Sequence, residues 1–198
     1  MSTRDVVFQF KIELLGVEPP IWRRIQVPGD YTFWDLHVAI QDAMGWLDYH
    51  LHAFRIVGSS VAIGIPDIEG DDPPDFRPGW EVGVRDVFLH GSPLALYEYD
   101  FGDSWLHEVR LEGVYDVEKG VVYPRCLDGA RRCPPEDCGG TYGYEDFLSA
   151  IGDPTDPEHD SLLEWIGGSF DPEEFDPSKV HFDDPAKRWQ IAFQNRNG

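Results

Sequence analysis

Residues 6–15 alternate strictly, with Phe8, Phe10, Ile12 and Leu14 on one side and Gln9, Lys11 and Glu13 on the other. A period of two over so long a run fits a half-buried β-strand, because successive side chains of extended backbone point to opposite faces. A second block constrains the chain as strongly. Tyr97, Tyr99 and Phe101 alternate with Glu98 and Asp100. After Gly102-Asp103-Ser104, the series Trp105, His107, Val109, Leu111 alternates with Leu106, Glu108, Arg110, Glu112. This predicts a β-hairpin with an aromatic face. A three-residue loop would pair Phe101 with Trp105 and Tyr99 with His107, whereas a two-residue loop would pair Glu98 with His107. Both registers stay open.

The remaining elements follow from local signals. Gly16 to Pro20 is a turn, and Ile21 to Val27 resumes a strand in which Arg23 falls in phase with Ile21, Ile25 and Val27. Thr32 with Asp35 three residues on forms a capping-box pattern ahead of a helix carrying Phe33, Leu36, Ile40, Ala43 and Met44, with Gly45 as its stop. A strand over 50–57 would place His50, His52, Phe54 and Ile56 on one face. The order strand, strand, helix, strand predicts an α+β fold, a β-grasp-like mixed sheet with a packed helix. Residues 58–80, rich in Gly, Pro and Asp, read as a long surface loop, followed by a weak strand or helix over 82–89. Beyond Gly143 the chain reads as helical and acidic, with short helices over 144–151 and 160–166 and a last one begun by Asp184 and Pro185.

The length of 198 residues suits one domain over 1–198, sheet-rich to about residue 122 and loop and helical from 123. The net charge of −21 bears on partners. Residues 133–184 hold 15 Asp and Glu against one Lys. Such a surface repels phosphate backbones, so direct nucleic-acid binding is disfavoured; it could attract a basic protein or peptide or a cation, although acidic charge of this kind is usually just a solvated face. No apolar run is long enough for a membrane span, and MSTRDVVFQF passes straight into a strand, so the cytosol is the expected compartment.

One stretch, 123–143, reads as neither strand nor helix: YPRCLDGARRCPPEDCGGTYG. It holds all three cysteines, Cys126, Cys133 and Cys138. With a histidine such as His107, His50 or His52 they would complete a tetrahedral zinc site, although no CxxC pair is present; free or partly buried thiols are the favoured reading, and a redox or disulfide role is the third. A second candidate is the set Asp103, His107, Glu136 and Asp137, with Ser104 beside it, which would hold a divalent metal or supply an acid and a base. Against it, Asp103 and Ser104 serve equally as turn residues, and His107 as a core histidine. His50 and His52, two residues apart on one strand, are a weaker metal pair. Arg125, Arg131 and Arg132 could grip a carboxylate or phosphate, although beside so many acids internal ion pairs are the favoured reading. Phosphate-binding Gly-rich loops with Lys, HExxH, GxSxG and dinucleotide fingerprints are all missing from the sequence.

Four segments in order, PPIWRRIQVP, FWDLHVAIQDAMGW with HLHAF, YEYDFGDSWLHEV and CLDGARRCPPEDCGGTYGYEDFL, resemble the plasmid pRiA4b ORF-3-like family. The resemblance spans about residues 6–193. It implies a protein of plasmids and transposon-associated genes whose biochemical role is not established; some members are labelled resolvase-like, but no recombinase signature is present here. The family's characteristic positions fall on Trp22, Arg23, Tyr99, Asp100, Asp103, Trp105, His107, Glu136, Asp137 and Tyr144, among others. They imply one site joining the DFGDSWLH hairpin to the CPPEDCGG loop. A non-catalytic binding module is the leading expectation, with a metal-dependent hydrolase and a structural zinc domain as alternatives.

Overall fold

The computed structural model describes residues 6–66 and 75–194. Strands β1 (Val6–Leu14) and β2 (Ile21–Pro28) pair antiparallel from Leu14 opposite Ile21 to Val7 opposite Pro28. Helix α1 (Phe33–Met44) starts with the full capping box: the Asp35 amide donates to Thr32 Oγ1 at 3.2 Å and the Thr32 amide donates to Asp35 Oδ2 at 2.8 Å. Such a cap stabilises by about 1 kcal/mol. Gly45 at φ 92° ends the helix in the left-handed region, as the sequence predicts.

Strand β3 (His52–Ile56) begins two residues later than the alternation suggests, so His50 stays in the connecting segment. The expected loop over 58–80 contains two short strands, β4 (Ala62–Gly64) and β5 (Phe76–Pro78), which pair in parallel. Three residues are too few for a periodic signal. The middle of that stretch, 67–74, lies outside the described residues. Helix α2 (Val84–Phe88) leads into β6 (Leu94–Tyr99) and β7 (Trp105–Asp116). The hairpin follows neither open register. Asp100 to Ser104 form a five-residue loop, Tyr99 faces Trp105, Tyr97 faces His107, and Phe101 sits in the loop. Strand β8 (Arg125–Ala130) lies inside the stretch read as irregular and extends the sheet beside β2.

The sheet order is β5-β4-β3-β6-β7-β1-β2-β8, antiparallel except for β4 with β5. Helices α3 (Gly140–Gly152), α4 (His159–Trp165) and α5 (Pro185–Trp189) complete the mixed α+β architecture. Phe8, Phe10, Ile12, Ile21, Ile25, Phe33, Leu36, Ile40 and Phe54 are fully buried between the sheet and α1. Each contributes about 1.5–3 kcal/mol through its burial.

Arg23, the residue that breaks the apolar phase of β2, is buried with them. Its guanidinium donates to the carbonyls of Ala43 (2.8 Å), Trp22 (2.8 Å) and Ala130 (2.9 Å) and lies 3.7 Å from the centre of the Phe175 ring. A cation beneath the C-terminal turn of α1 meets the negative end of the helix dipole. Arg23 therefore fixes the point at which the chain leaves α1 for the candidate site.

Candidate functional site

Three segments meet at one end of the sheet: the connection after α1, the β6–β7 loop, and the loop before α3. Trp46 roots the first. Its ring stacks on Tyr99 at 5.1 Å, and its indole N–H donates to the Pro134 carbonyl at 3.0 Å. The Glu136 carboxylate accepts the Leu47 amide at 2.7 Å and the Tyr99 hydroxyl at 3.1 Å, while that hydroxyl accepts the Tyr49 amide at 3.0 Å. Burial pushes the Glu136 carboxyl upward; burial and the neighbouring Glu136 charge do the same to the Tyr99 phenol. Asp103 closes the other side by accepting the Gly139 amide at 3.0 Å. Gly140 follows at φ +70°, where an added Cβ would stand 2.5 Å from the Asp103 carbonyl oxygen. Only glycine permits that approach.

Within this junction His50 Nε2 stands 3.1 Å from Asp137 Oδ1, 3.6 Å from Asp100 Oδ2 and 4.0 Å from Glu136 Oε2. Asp100 and Asp137 both have left-handed backbone, at φ 55° and 56°. Asp tolerates this conformation better than most residues, at a cost of order 1 kcal/mol or more. Asp100 secures its turn by accepting the Gly102 amide on Oδ1 at 2.9 Å and the Ser104 amide on its carbonyl at 2.6 Å. Among the described residues, His50, Asp100 and Asp137 form the one set of three or more His, Cys, Asp or Glu side chains whose ligand atoms all lie within 4.8 Å of one another. Leu47, Tyr49, Leu51 and Phe101, all more than half exposed, flank these residues along the chain.

The quartet anticipated from the sequence does not assemble. His107 is fully buried: its Nδ1 donates to the Tyr97 carbonyl at 3.3 Å and its ring packs against the Trp46 ring. Burial drives its pKa down to about 4. Its face of the hairpin is the core, which periodicity alone does not reveal. Nor do the cysteines converge. Cys126 lies on β8, Cys133 is buried between Arg23 and Met44, and Cys138 sits before α3. Burial raises all three thiols, Cys133 to about 11 and Cys138 to about 12. The His50–His52 pair is divided as well, since His52 is buried and stacks on His37 with ring centres 3.4 Å apart.

Other anticipated binding residues serve the fold. Trp22 lies on the outer face beneath Lys11 and Arg24, and Arg125 bonds Gln26 and Glu118. Trp105 and Tyr144 are buried, the latter against Phe147 and Phe170. Sequence reading missed the position of His50 in this set. Its one legible signal was its place in the connecting segment after Gly45, outside the hydrophobic pattern of α1.

A cleft of about 930 Å³ opens beside the junction, sharing Glu136 and Asp137 and bounded across from them by Trp165, Phe170 and Phe175. Three of its cations are already paired with acids. Arg188 bonds Asp42 at 2.7 Å and Asp183 at 2.6 Å, and Arg132 and Lys179 each stand 3.8 Å from Glu174. At the junction, by contrast, three carboxylates, Asp100, Glu136 and Asp137, face one imidazole.

Comparison with known proteins gives the same lineage over most of the chain. Residues 6–179 match the family described as plasmid pRiA4b ORF-3-like protein. This chain belongs to that family. The uncharacterized protein y4hQ of Sinorhizobium fredii (strain NBRC 101917 / NGR234) is 37% identical over 192 residues, covering 92% of this chain and 94% of its own. The crystal structure of MM3350, a protein of unknown function from Methanosarcina mazei Go1, superposes with a TM-score of 0.81 at 42% identity. It covers 91% of this chain and 100% of its own. Among the described residues no helix is long and apolar enough to cross a membrane.

Proposed function

We propose that this family member is a non-catalytic binding module whose junction of hairpin tip, 46–51 segment and Pro-rich loop receives a positively charged group. The observation that carries this reading is the convergence of Asp100, Glu136 and Asp137 on one imidazole, with apolar side chains flanking them. Opposite charge favours a cation there, and a protein of net charge −21 adds long-range attraction. Binding is favoured over hydrolysis by how the proton-moving groups are used. Glu136 is committed to Leu47 and Tyr99, and His107 is enclosed in the core.

The test uses a fluorescently labelled peptide of alternating Arg and Leu, titrated with the full chain at low and high salt. Affinity should fall with salt as exposed charge pairs are screened. The double variant Asp100→Asn/Asp137→Asn, which keeps the turn acceptors, should weaken binding about tenfold or more. Removing two charges from α4 with Asp160→Asn/Glu164→Gln should change it little. Equal losses in both double variants would reduce the effect to bulk charge and overturn the reading.

A further inference from the structure

We infer that the charged group received at this junction is a divalent transition-metal ion, held by His50, Asp100 and Asp137. The inference rests on the cation-binding reading above and narrows it.

The decisive atom is His50 Nε2. It is closed off from water and has no hydrogen-bond partner, although two carboxylates approach it. A buried imidazole nitrogen left without a partner is costly, and natural proteins pair nearly all such groups. The 3.1 Å separation from Asp137 Oδ1 is therefore close without being a hydrogen bond. A shared ion accounts for both facts. Donor atoms about 2.0–2.2 Å from one metal stand about 3.0 Å apart at right angles and about 3.4 Å apart at the tetrahedral angle. The 3.1 Å separation from His50 Nε2 falls inside that range and the 3.6 Å separation just above it.

The donor set selects the class of ion. One imidazole with two carboxylates suits Zn²⁺, Mn²⁺ or Fe²⁺ better than thiophilic Cu(I), and better than Mg²⁺, which prefers oxygen and retains its water. Glu136, 4.0 Å from Nε2 and already bonded to Leu47 and Tyr99, would hold the acidic loop in place beside the ion. Asp137, two-thirds exposed, leaves one side of the ion accessible. The ligands come from segments about 50 and 37 residues apart, so none of the usual short metal motifs marks them.

The 198-residue chain, stripped with a chelator and dialysed, would be titrated calorimetrically with MnCl₂, ZnCl₂ and MgCl₂. One Mn²⁺ or Zn²⁺ per chain should bind, with Mg²⁺ weaker. His50→Ala and Asp137→Asn, both outside the hydrophobic core, should each lower affinity at least tenfold while far-UV circular dichroism stays native. Electron spin-echo modulation from the imidazole nitrogen of His50 should be present with Mn²⁺ and lost in His50→Ala. Cys138→Ser should bind as the parent does. An ion whose binding survives both His50→Ala and Asp137→Asn, or is lost in Cys138→Ser, would overturn the assignment. Should no ion bind while the basic peptide still depends on Asp100 and Asp137, the metal assignment alone falls. Should neither bind, both readings fall.

Discussion

Replacing Arg23 by Met should destabilise the protein by about 3–5 kcal/mol, although a buried cation is exchanged for an apolar side chain of similar length. Apolar replacement of a buried ion pair is often neutral, because both charges leave together. Arg23 differs because its partners are backbone carbonyls, which remain. Ala43 O, Trp22 O and Ala130 O would lose donors at 2.8, 2.8 and 2.9 Å. Each carbonyl stranded away from water costs about 1–3 kcal/mol, and release of the desolvated charge offsets part of the total. Burial already lowers the guanidinium pKa, so the charge is held at some expense. Lysine should recover only part of the loss, since its donors radiate from one nitrogen, whereas Arg23 reaches Ala43 from Nε and Trp22 and Ala130 from Nη1. Urea unfolding of parent, Arg23→Met and Arg23→Lys, followed by circular dichroism, measures the differences as midpoint shifts at constant slope. A parent-like Arg23→Met would refute the account of Arg23 as the fastener between α1, β2 and β8.

Two further outcomes can be measured in the same way. Gly140→Ala should cost about 1–3 kcal/mol from the positive φ alone, and more if the Asp103 carbonyl is pushed aside. It should also weaken ligand binding, because the hairpin tip and Pro-rich loop are forced apart. Acid should destabilise the fold through His107, whose folded pKa of about 4 lies below the value of 6.5 for a free histidine. Between those values the unfolded chain takes up the proton and the folded chain does not, so stability is full above pH 6.5 and falls as pH drops. The loss from pH 7 to pH 5 is about 2 kcal/mol for this residue. His52, also held below its ordinary value by burial, adds in the same direction. His107→Leu should flatten the profile by about that amount, and an unchanged profile would show that His107 is not buried in neutral form.

The elements legible in the sequence were those whose pattern is local. Strict alternation in β1 and in the hairpin, the Thr32–Asp35 box and the Asp184-Pro185 start each depend on neighbours within a turn or two. Strand β8 was hidden because Arg125 to Ala130 has no alternation and none of its residues is fully buried. Its strand character comes from the edge of β2. The hairpin register was hidden because Asp100 and Ser104 take positive φ, lengthening the loop beyond what Gly102-Asp103-Ser104 suggests. Periodicity put His107 on a defined face but could not say that Tyr97, Tyr99 and Trp105 make that face the core. For the candidate site, Asp100, Glu136 and Asp137 were on the page, whereas His50 required knowing that its strand starts at His52.

The dispersal of His50, Asp100 and Asp137 over three connections also sets when the site can exist. A nascent chain that has delivered the complete β6–β7 hairpin still lacks Asp137, and Glu136 and Gly139 cannot yet clamp the 46–51 segment and the hairpin tip. Ligand occupancy would therefore report that the Pro-rich loop has docked. The same tie gives any bound cation mechanical leverage over elements that the backbone joins only through long detours.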